Sequence, residues 1–396
     1  MQKRKIYNHK LFVIIGAVCM CLVGCNSGNQ SDEVMKVLDV TTAIANKHDV
    51  VDYDIFKTIK YIPLETSKEH MVKSDPKMFM TGKYVVSNAF RQIYLFDRFT
   101  GEFIREIGGY GRGPEEYRST GRGVPFDANN EVIYAHRDDN YLVYGINEET
   151  VSKMKYPRYY SGIAMLNDST YASYRPNITG DEKQRVVIVR NGEIIHTFPN
   201  YQSYVKKSNS FHIDMGEGMF HNYNKKLYFK EILNDTLFEV QPDTLKPRYV
   251  FKLGDLGAKY EDKEWLVAGE KKNGEYVRPL DDFYDTRHFC ESSRYLLFES
   301  KYQREWYWGC YDKDEKKIIV QPAIVDVKLE DGLIVPFKMC NGYINSNNQL
   351  VTYINGYELQ LWFEQHEGIK LRDDLKKLKG IGENDNPVVI IAQLQE

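Results

Sequence analysis

Ile107-Gly108-Gly109-Tyr110-Gly111-Arg112-Gly113-Pro114-Glu115-Glu116-Tyr117 (IGGYGRGPEEY) places four glycines within six residues, followed by a proline and two acids. Such a stretch is either a phosphate cradle or a corner in repeated β-structure. A Walker-type loop requires G-x-x-x-x-G-K-S/T, because the lysine reaches phosphate and the hydroxyl reaches Mg²⁺. No Lys-Ser/Thr follows Gly113. A dinucleotide fingerprint has to open a helix after a strand. Pro114 can start a helix, but the chain returns to Gly121, Gly123 and Pro125, not to an apolar helical face. The loop follows an outer-strand pattern at 103–107 and leads into another β-unit. Glycine there permits φ > 0 where blades cross tightly. The stretch reads as a structural corner.

On either side of it, short alternating runs recur, punctuated by Gly, Asn and Asp. The first group is 83–87 (KYVVS), 92–97 (QIYLFD) and 101–107 (GEFIREI). Later groups are 131–135, 141–146 and 151–154; 170–174, 185–190 and 193–198; and 226–230, 235–240 and 247–253. Two more are 295–300, 305–311 and 317–321, and 332–336, 342–345 and 349–354. Thirty tyrosines and 13% aromatic residues suit strands. Periodicity on the scale of roughly 40–60 residues points to a propeller or solenoid. Radial packing buries both faces of each sheet. The fold class expected is all-β, a six-bladed β-propeller with short helical insertions. Five or seven blades would accommodate the same units if their boundaries shift by several residues. Ring closure needs one blade built from both chain ends, and the strands at 56–64 and 388–394 are the natural pair. Insertions are expected near 257–280 and 357–380. The second is the best helical candidate, with Lys376, Lys377 and Lys379 before Gly380. The first is expected to be helical around Glu264-Trp265-Leu266, as a lid or a surface loop.

The N-terminus carries an address. Lys3, Arg4, Lys5 and Lys10 precede an uncharged apolar run at 11–22, which ends in Leu22-Val23-Gly24-Cys25. The run is shorter than the roughly 20 residues of a membrane span and fits a secretory signal. Small residues before a cysteine at this place resemble a lipobox, which makes Cys25 the expected lipid attachment. The organisation expected is a signal peptide at 1–24, a lipidated flexible tether at 25–50 and one propeller at 51–396. The expected location is the cell envelope, as an outer-membrane lipoprotein, held to the membrane by acyl chains that each contribute about 0.8 kcal/mol per buried CH₂. Loss of 1–24 removes four basic residues and no acid, moving the formal charge from −3 to −7. No Lys/Arg-dense stripe stands out, so no nucleic-acid partner is expected. Cys290, Cys310 and Cys340 are read as three buried thiols, because a chain this long needs no staples. Their spacing matches no zinc signature, and no metal or cofactor is expected.

The phrase I-G-x-x-G-x-G-P-x-E-Y at 107–117 resembles the inter-blade signature of the NHL-like six-bladed β-propeller lipoproteins of Gram-negative gut bacteria. Tyr61-Ile62-Pro63-Leu64-Glu65-Thr66, Asn234-Asp235-Thr236-Leu237 and Asn386-Pro387-Val388-Val389 agree with it. Glu115 stands where glycine is common in that family. The resemblance runs from about residue 50 to the C-terminus. It implies export, a propeller and lipid anchoring. It supplies no catalytic residues, and fold does not supply function.

Several constellations bear chemistry. Arg112 is the charged side chain inside the glycine loop and is a candidate contact for an acidic ligand, against the commoner role of tying blades together. His136-Arg137-Asp138-Asp139-Asn140 reads as a hairpin turn. Asp281-Asp282-Phe283-Tyr284-Asp285-Thr286-Arg287-His288 is the densest cluster. Asp282, Tyr284, Asp285 and His288 form the candidate acid–base set for a glycan or peptide substrate, against a solvated loop. Trp306 and Trp308 share one sheet face; Trp306 is a candidate ligand contact, against inter-blade packing. No HExxH, GxSxG or calcium-loop pattern occurs. Two function classes follow. One is a binding or scaffold module for an envelope protein or glycan. The other is a hydrolase or lyase acting outside the cell. Convergence of the acid–base set with Arg112 on one pocket favours the enzyme, and dispersal favours the module.

Overall fold

The computed structural model describes residues 35–47, 50–52, 55–120, 125–127, 130–147, 150–156, 161–167, 169–208, 216–272, 275–329 and 332–396. Cys25 and the signal peptide expected at 1–24 lie outside them. The chain begins with β1 (Lys36–Asp39), α1 (Val40–Ala45), β2 (Val50–Asp52) and β3 (Phe56–Pro63). Blade 1 is β4 (Lys77–Met80), β5 (Tyr84–Ala89), β6 (Gln92–Asp97) and β7 (Phe103–Glu106). Blade 2 is β8 (Phe126–Asp127), β9 (Val132–Arg137), β10 (Asn140–Gly145) and β11 (Val151–Lys155). Blade 3 is β12 (Ser161–Asn167), β13 (Thr170–Tyr174), β14 (Gln184–Arg190) and β15 (Glu193–Pro199). Blade 4 is β16 (Gly218–Tyr223), β17 (Lys226–Glu231), β18 (Thr236–Val240) and β19 (Leu245–Lys252).

After α2 (Lys263–Ala268) and the hairpin β20 (Glu270–Lys272) and β21 (Glu275–Val277), blade 5 follows. It is β22 (Asp285–Glu291), β23 (Tyr295–Tyr302), β24 (Glu305–Asp312) and β25 (Lys317–Pro322). A hairpin, β26 (Ile324–Lys328) and β27 (Ile334–Lys338), precedes blade 6. Blade 6 is β28 (Tyr343–Ile344), β29 (Gln349–Ile354), β30 (Val388–Leu394) and, from the other end of the chain, β3. Helices α3 (Gly356–Gln365) and α4 (Asp373–Leu378) interrupt it between β29 and β30. The fold is the expected six-bladed propeller.

The expected closure holds. β3 pairs antiparallel with β30, from Phe56 opposite Leu394 to Pro63 opposite Val388. The two terminal phrases of the sequence form its clasp. Asn386 is fully buried; its Nδ2 donates to the carbonyls of Glu65 at 2.6 Å and His70 at 2.9 Å, and its Oδ1 accepts from Val72 N–H at 2.8 Å. One carboxamide thereby satisfies three backbone groups that the closing turn would leave orphaned.

Apolar wedges fill the gaps between blades. Val86, Ile93 and Leu95 of blade 1 meet Ile133, Leu142 and Tyr144 of blade 2. Tyr249 and Phe251 of blade 4 meet Phe289 and Phe298 of blade 5. The wedge between blades 5 and 6 also takes in Phe337 of the β26–β27 hairpin and Leu359, Trp362 and Leu375 of the helices. The helical insertion therefore packs against the last blade.

Four expectations need correction. Blades 1 to 5 each have a further, innermost strand that the alternating runs missed: β4, β8, β12, β16 or β22. β8, of two residues, and β4, of four, are too brief to show alternation, whereas β12, β16 and β22 have six or seven residues. Residues 332–336 lie in the hairpin and not in blade 6; β27 pairs with β26, which takes β2 in parallel on its other edge. Residues 36–45, expected within the tether, form β1 and α1. β1 adds in parallel to β19 as a fifth strand of blade 4, because Leu38 and Val40 bury against its outer edge. The 357–380 insertion is two helices, parted near Gly368 at φ +83°.

Candidate functional site

With four antiparallel strands per blade, alternate connections fall on opposite faces of the ring. First-to-second and third-to-fourth strand turns share one face, and none exceeds five residues. We call this the turn face. Second-to-third turns and inter-blade crossings share the other, the loop face. Among the described residues it carries 64–76, 107–120, 200–208, 216–217, 253–272, 275–284, 323–329, 332–342 and 355–387. The insertion at 257–280 is anchored to it as a cap. Lys263 is fully buried, pairs with Glu217 and donates to the Asn177 carbonyl at 3.1 Å. Tyr174 donates to Glu217 at 2.9 Å. Burial pushes the Glu217 carboxyl up, and Lys263 opposes it.

The glycine corner is structural. Tyr117 is fully buried, and its N–H donates to Gly109 O at 2.9 Å while Gly111 N–H donates to Tyr117 O at 3.1 Å. Gly108 sits at φ +61°, and a Cβ there would lie 2.7 Å from the Tyr144 ring. Arg112 is exposed. The residue that ties the corner to blade 2 is Arg137, whose guanidinium donates to the carbonyls of Gly113 and, at 2.9 Å, Glu116. Sequence reasoning placed this role on Arg112, because Arg137 is remote in sequence and only the blade contact brings it near.

The octapeptide at 281–288 does not converge on one pocket. Asp282 lies at the surface, paired with Arg304 at 2.9 Å. Tyr284 is buried, accepts from Ser300 Oγ at 2.8 Å, and burial holds its hydroxyl above the ordinary range. Asp285 is buried and paired with Arg287, close enough to Lys230 to act on its charge. His288 lies opposite Glu299 in the ladder, beyond a register break after Thr286. Burial, with Lys77 and His221 beside it, pushes the imidazole down to about 3. It is neutral at physiological pH and bonded to the Gly342 backbone, which suits it poorly to proton transfer. Trp308 is fully buried, whereas Trp306 is 43% exposed, with the Lys301 ammonium 5.5 Å from its ring centre. The thiols are free; Cys290 and Cys310 are buried and Cys340 only half-buried. Burial pushes Cys340 up to about 12, so it is a poor nucleophile.

The loop face carries a feature that the sequence did not reveal. Seven aromatic side chains are strongly exposed among the described residues, and six of them are there: Phe90, Tyr110, Tyr201, Trp265, Trp306 and Tyr357. Phe99 is the exception, on the turn face. Arg91 is held between Phe90 and Tyr110, its guanidinium carbon 4.7 and 4.2 Å from the two ring centres. A positive φ of 59° at Arg91 and the bond from its N–H to Thr120 Oγ1 at 2.9 Å set this stack.

No curated protein matches the sequence. Among solved structures, one provisionally described as an exported protein of Bacteroides fragilis superposes with a TM-score of 0.63 at 18% identity, covering 87% of this chain and 98% of that one. An extracellular domain of a one-component system from B. thetaiotaomicron gives 0.36 at 11% identity, covering 76% of this chain and 32% of that one. A PQQ-bound aldose sugar dehydrogenase from Streptomyces coelicolor gives 0.40 at 12% identity, covering 86% and 100%. The first likeness is one of fold. The chain itself belongs to the family described as "Domain of unknown function (DUF4934)", which matches residues 35–393.

Proposed function

We propose that this protein is an extracytoplasmic, lipid-anchored binding module whose loop face docks an envelope protein. The observation that carries the reading is the gathering of exposed aromatics on that face. Tyr, Trp, Phe and Arg are the residues enriched at the centres of protein interfaces. They are spread over the ring, from Phe90 in blade 1 to Tyr357 beside blade 6, which suits a broad protein surface better than the stacked cleft a glycan needs. The dispersal of Asp282, Tyr284, Asp285 and His288 supports a module over a hydrolase or lyase. Anchoring at Cys25 rests on the order of basic residues, apolar run and LVGC. It agrees with the finer resemblance to NHL-like lipoproteins and with the description of the B. fragilis protein as exported.

The test is capture of envelope proteins by the full-length chain in mild detergent, repeated with the captured partner purified. Capture should fail with Arg91→Ala and Trp265→Ala and survive Phe99→Ala. Equal capture by all three would remove the loop face as the interface, and selective retention on a glycan array would move the reading to a glycan. Metabolic labelling with a fatty acid should mark wild type and not Cys25→Ala.

A further inference from the structure

The channel mouth on the loop face holds charges that the docking surface does not use. Its floor is aromatic: Phe79 of β4 lies 4.8 Å from Phe126 of β8 and 5.6 Å from Tyr343 of β28, centre to centre. These contacts join blades 1, 2 and 6 across the channel, so this side of β4 opens on it. Lys77, two residues nearer the loop face, shares that side. Its side chain is half-buried, and its ammonium donates no hydrogen bond and has no carboxylate within 4 Å among the described residues; burial pushes its pKa down, and the Glu299 charge opposes this. Its ladder neighbour Asn88, which points the same way, is 2% exposed, and both its Oδ1 and Nδ2 lack a partner. A buried carboxamide with no bond at either end is rare and costly.

Two blades round the ring, on the second strand of blade 5, stands Glu299 of β23, close enough for its charge to act on Lys77. Its Oε2 accepts from Asn341 N–H at 3.0 Å, and Oε1 accepts nothing among the described residues. Burial pushes its carboxyl up to about 7; the Asn341 N–H, Lys338 and Lys77 oppose this, and Asp75 adds to it. Lys338 is already held by Glu358 at 2.6 and 2.7 Å, and His288 beside Glu299 is neutral. Among the described residues the mouth therefore presents a lysine without a close carboxylate, an acid with an open oxygen and an aromatic floor in which Tyr343 stands edge-on to Phe79 and Phe126.

We propose that this mouth binds a small zwitterion of the amino-acid class, its carboxylate held by Lys77 and Asn88 and its ammonium by Glu299. The aromatic floor takes the apolar side chain. A free carboxylate alone would meet Glu299, and a free amine alone would meet Lys77, so only a ligand with both charges satisfies both walls. The reading is independent of the docking surface.

The test is calorimetry at pH 8, where Glu299 is ionised, with the full chain in mild detergent. l-Phenylalanine should bind at least tenfold tighter than 3-phenylpropanoate, which lacks the ammonium, or phenethylamine, which lacks the carboxylate. Lys77→Met and Glu299→Gln should each erase that preference, and Arg91→Ala should leave it unchanged. The comparison of analogues on the wild-type chain decides the matter if a variant fails to fold. Equal binding of the three compounds overturns the proposal. So does the absence of saturable binding of phenylalanine, leucine, glutamate and glycine at about 10 mM.

Discussion

The two faces of the ring are built from one chain under one set of strand rules, yet they differ in kind. The turn face is all short turns, and a charged cluster near it is consumed by the fold. Glu291, fully buried at that end of β22, takes both Arg248 Nη atoms at 2.8 Å and Lys313 at 2.7 Å. Burial pushes its carboxyl up, but His221, Lys313 and Arg248 outweigh this and hold it below the ordinary range. The loop face instead leaves aromatic side chains in water, and at the channel mouth Lys77 and Asn88 stand unbonded among the described residues. Closing a ring consumes interactions, and only the face with spare chain length can hold some back for a ligand.

That contrast can be broken by substitution. The largest effect is expected at the turn face. Arg248→Ala leaves Glu291 buried without its bidentate partner and should cost about 3–5 kcal/mol in urea unfolding. A loss below about 1 kcal/mol would mean that Lys313 alone satisfies the site.

At the channel mouth the sign reverses. The Glu299 carboxyl stands at about 7 when folded, above its ordinary value. Its contribution to stability is therefore complete below the unfolded value and lost as pH rises through 7. Glu299→Gln should gain on wild type as pH rises from 5 to 8, by on the order of 3 kcal/mol at the upper end. Melting curves that stay parallel across that range would show that Glu299 is not held in this way.

On the loop-face rim the effect should leave stability alone. Arg91→Ala is expected to weaken partner binding about tenfold while changing unfolding by less than about 0.5 kcal/mol. The smallest effect belongs to Phe99→Ala, which should alter neither binding nor stability by more than about 0.5 kcal/mol. A binding loss there as large as at Arg91 would erase the distinction between the faces.

How far the sequence could be read follows from the range of the forces involved. Alternation and turn residues are local, so β5, β6, β9, β10, β23 and β24 were legible, as was the closing pair β3 and β30. Strands as short as β8 carry no period and exist because neighbouring blades hold them. The octapeptide looked like one site because its residues are adjacent in sequence, but a strand and a register break send Asp282 and His288 to different surroundings. Lys77 and Glu299 looked unremarkable because they are more than two hundred positions apart.

By itself the chain determined an all-β ring, its closing strands, its two insertions and the structural character of the glycine corner. Each of these depends on neighbours within a few residues, or on terminal strands that have no other partner. Only the tertiary structure decided which residues share a surface. Blade order brings Arg91 between Phe90 and Tyr110, sets Arg137 on the glycine corner and brings Lys77 within charge range of Glu299. Such meetings are fixed by radial packing of whole sheets, and no local pattern encodes them.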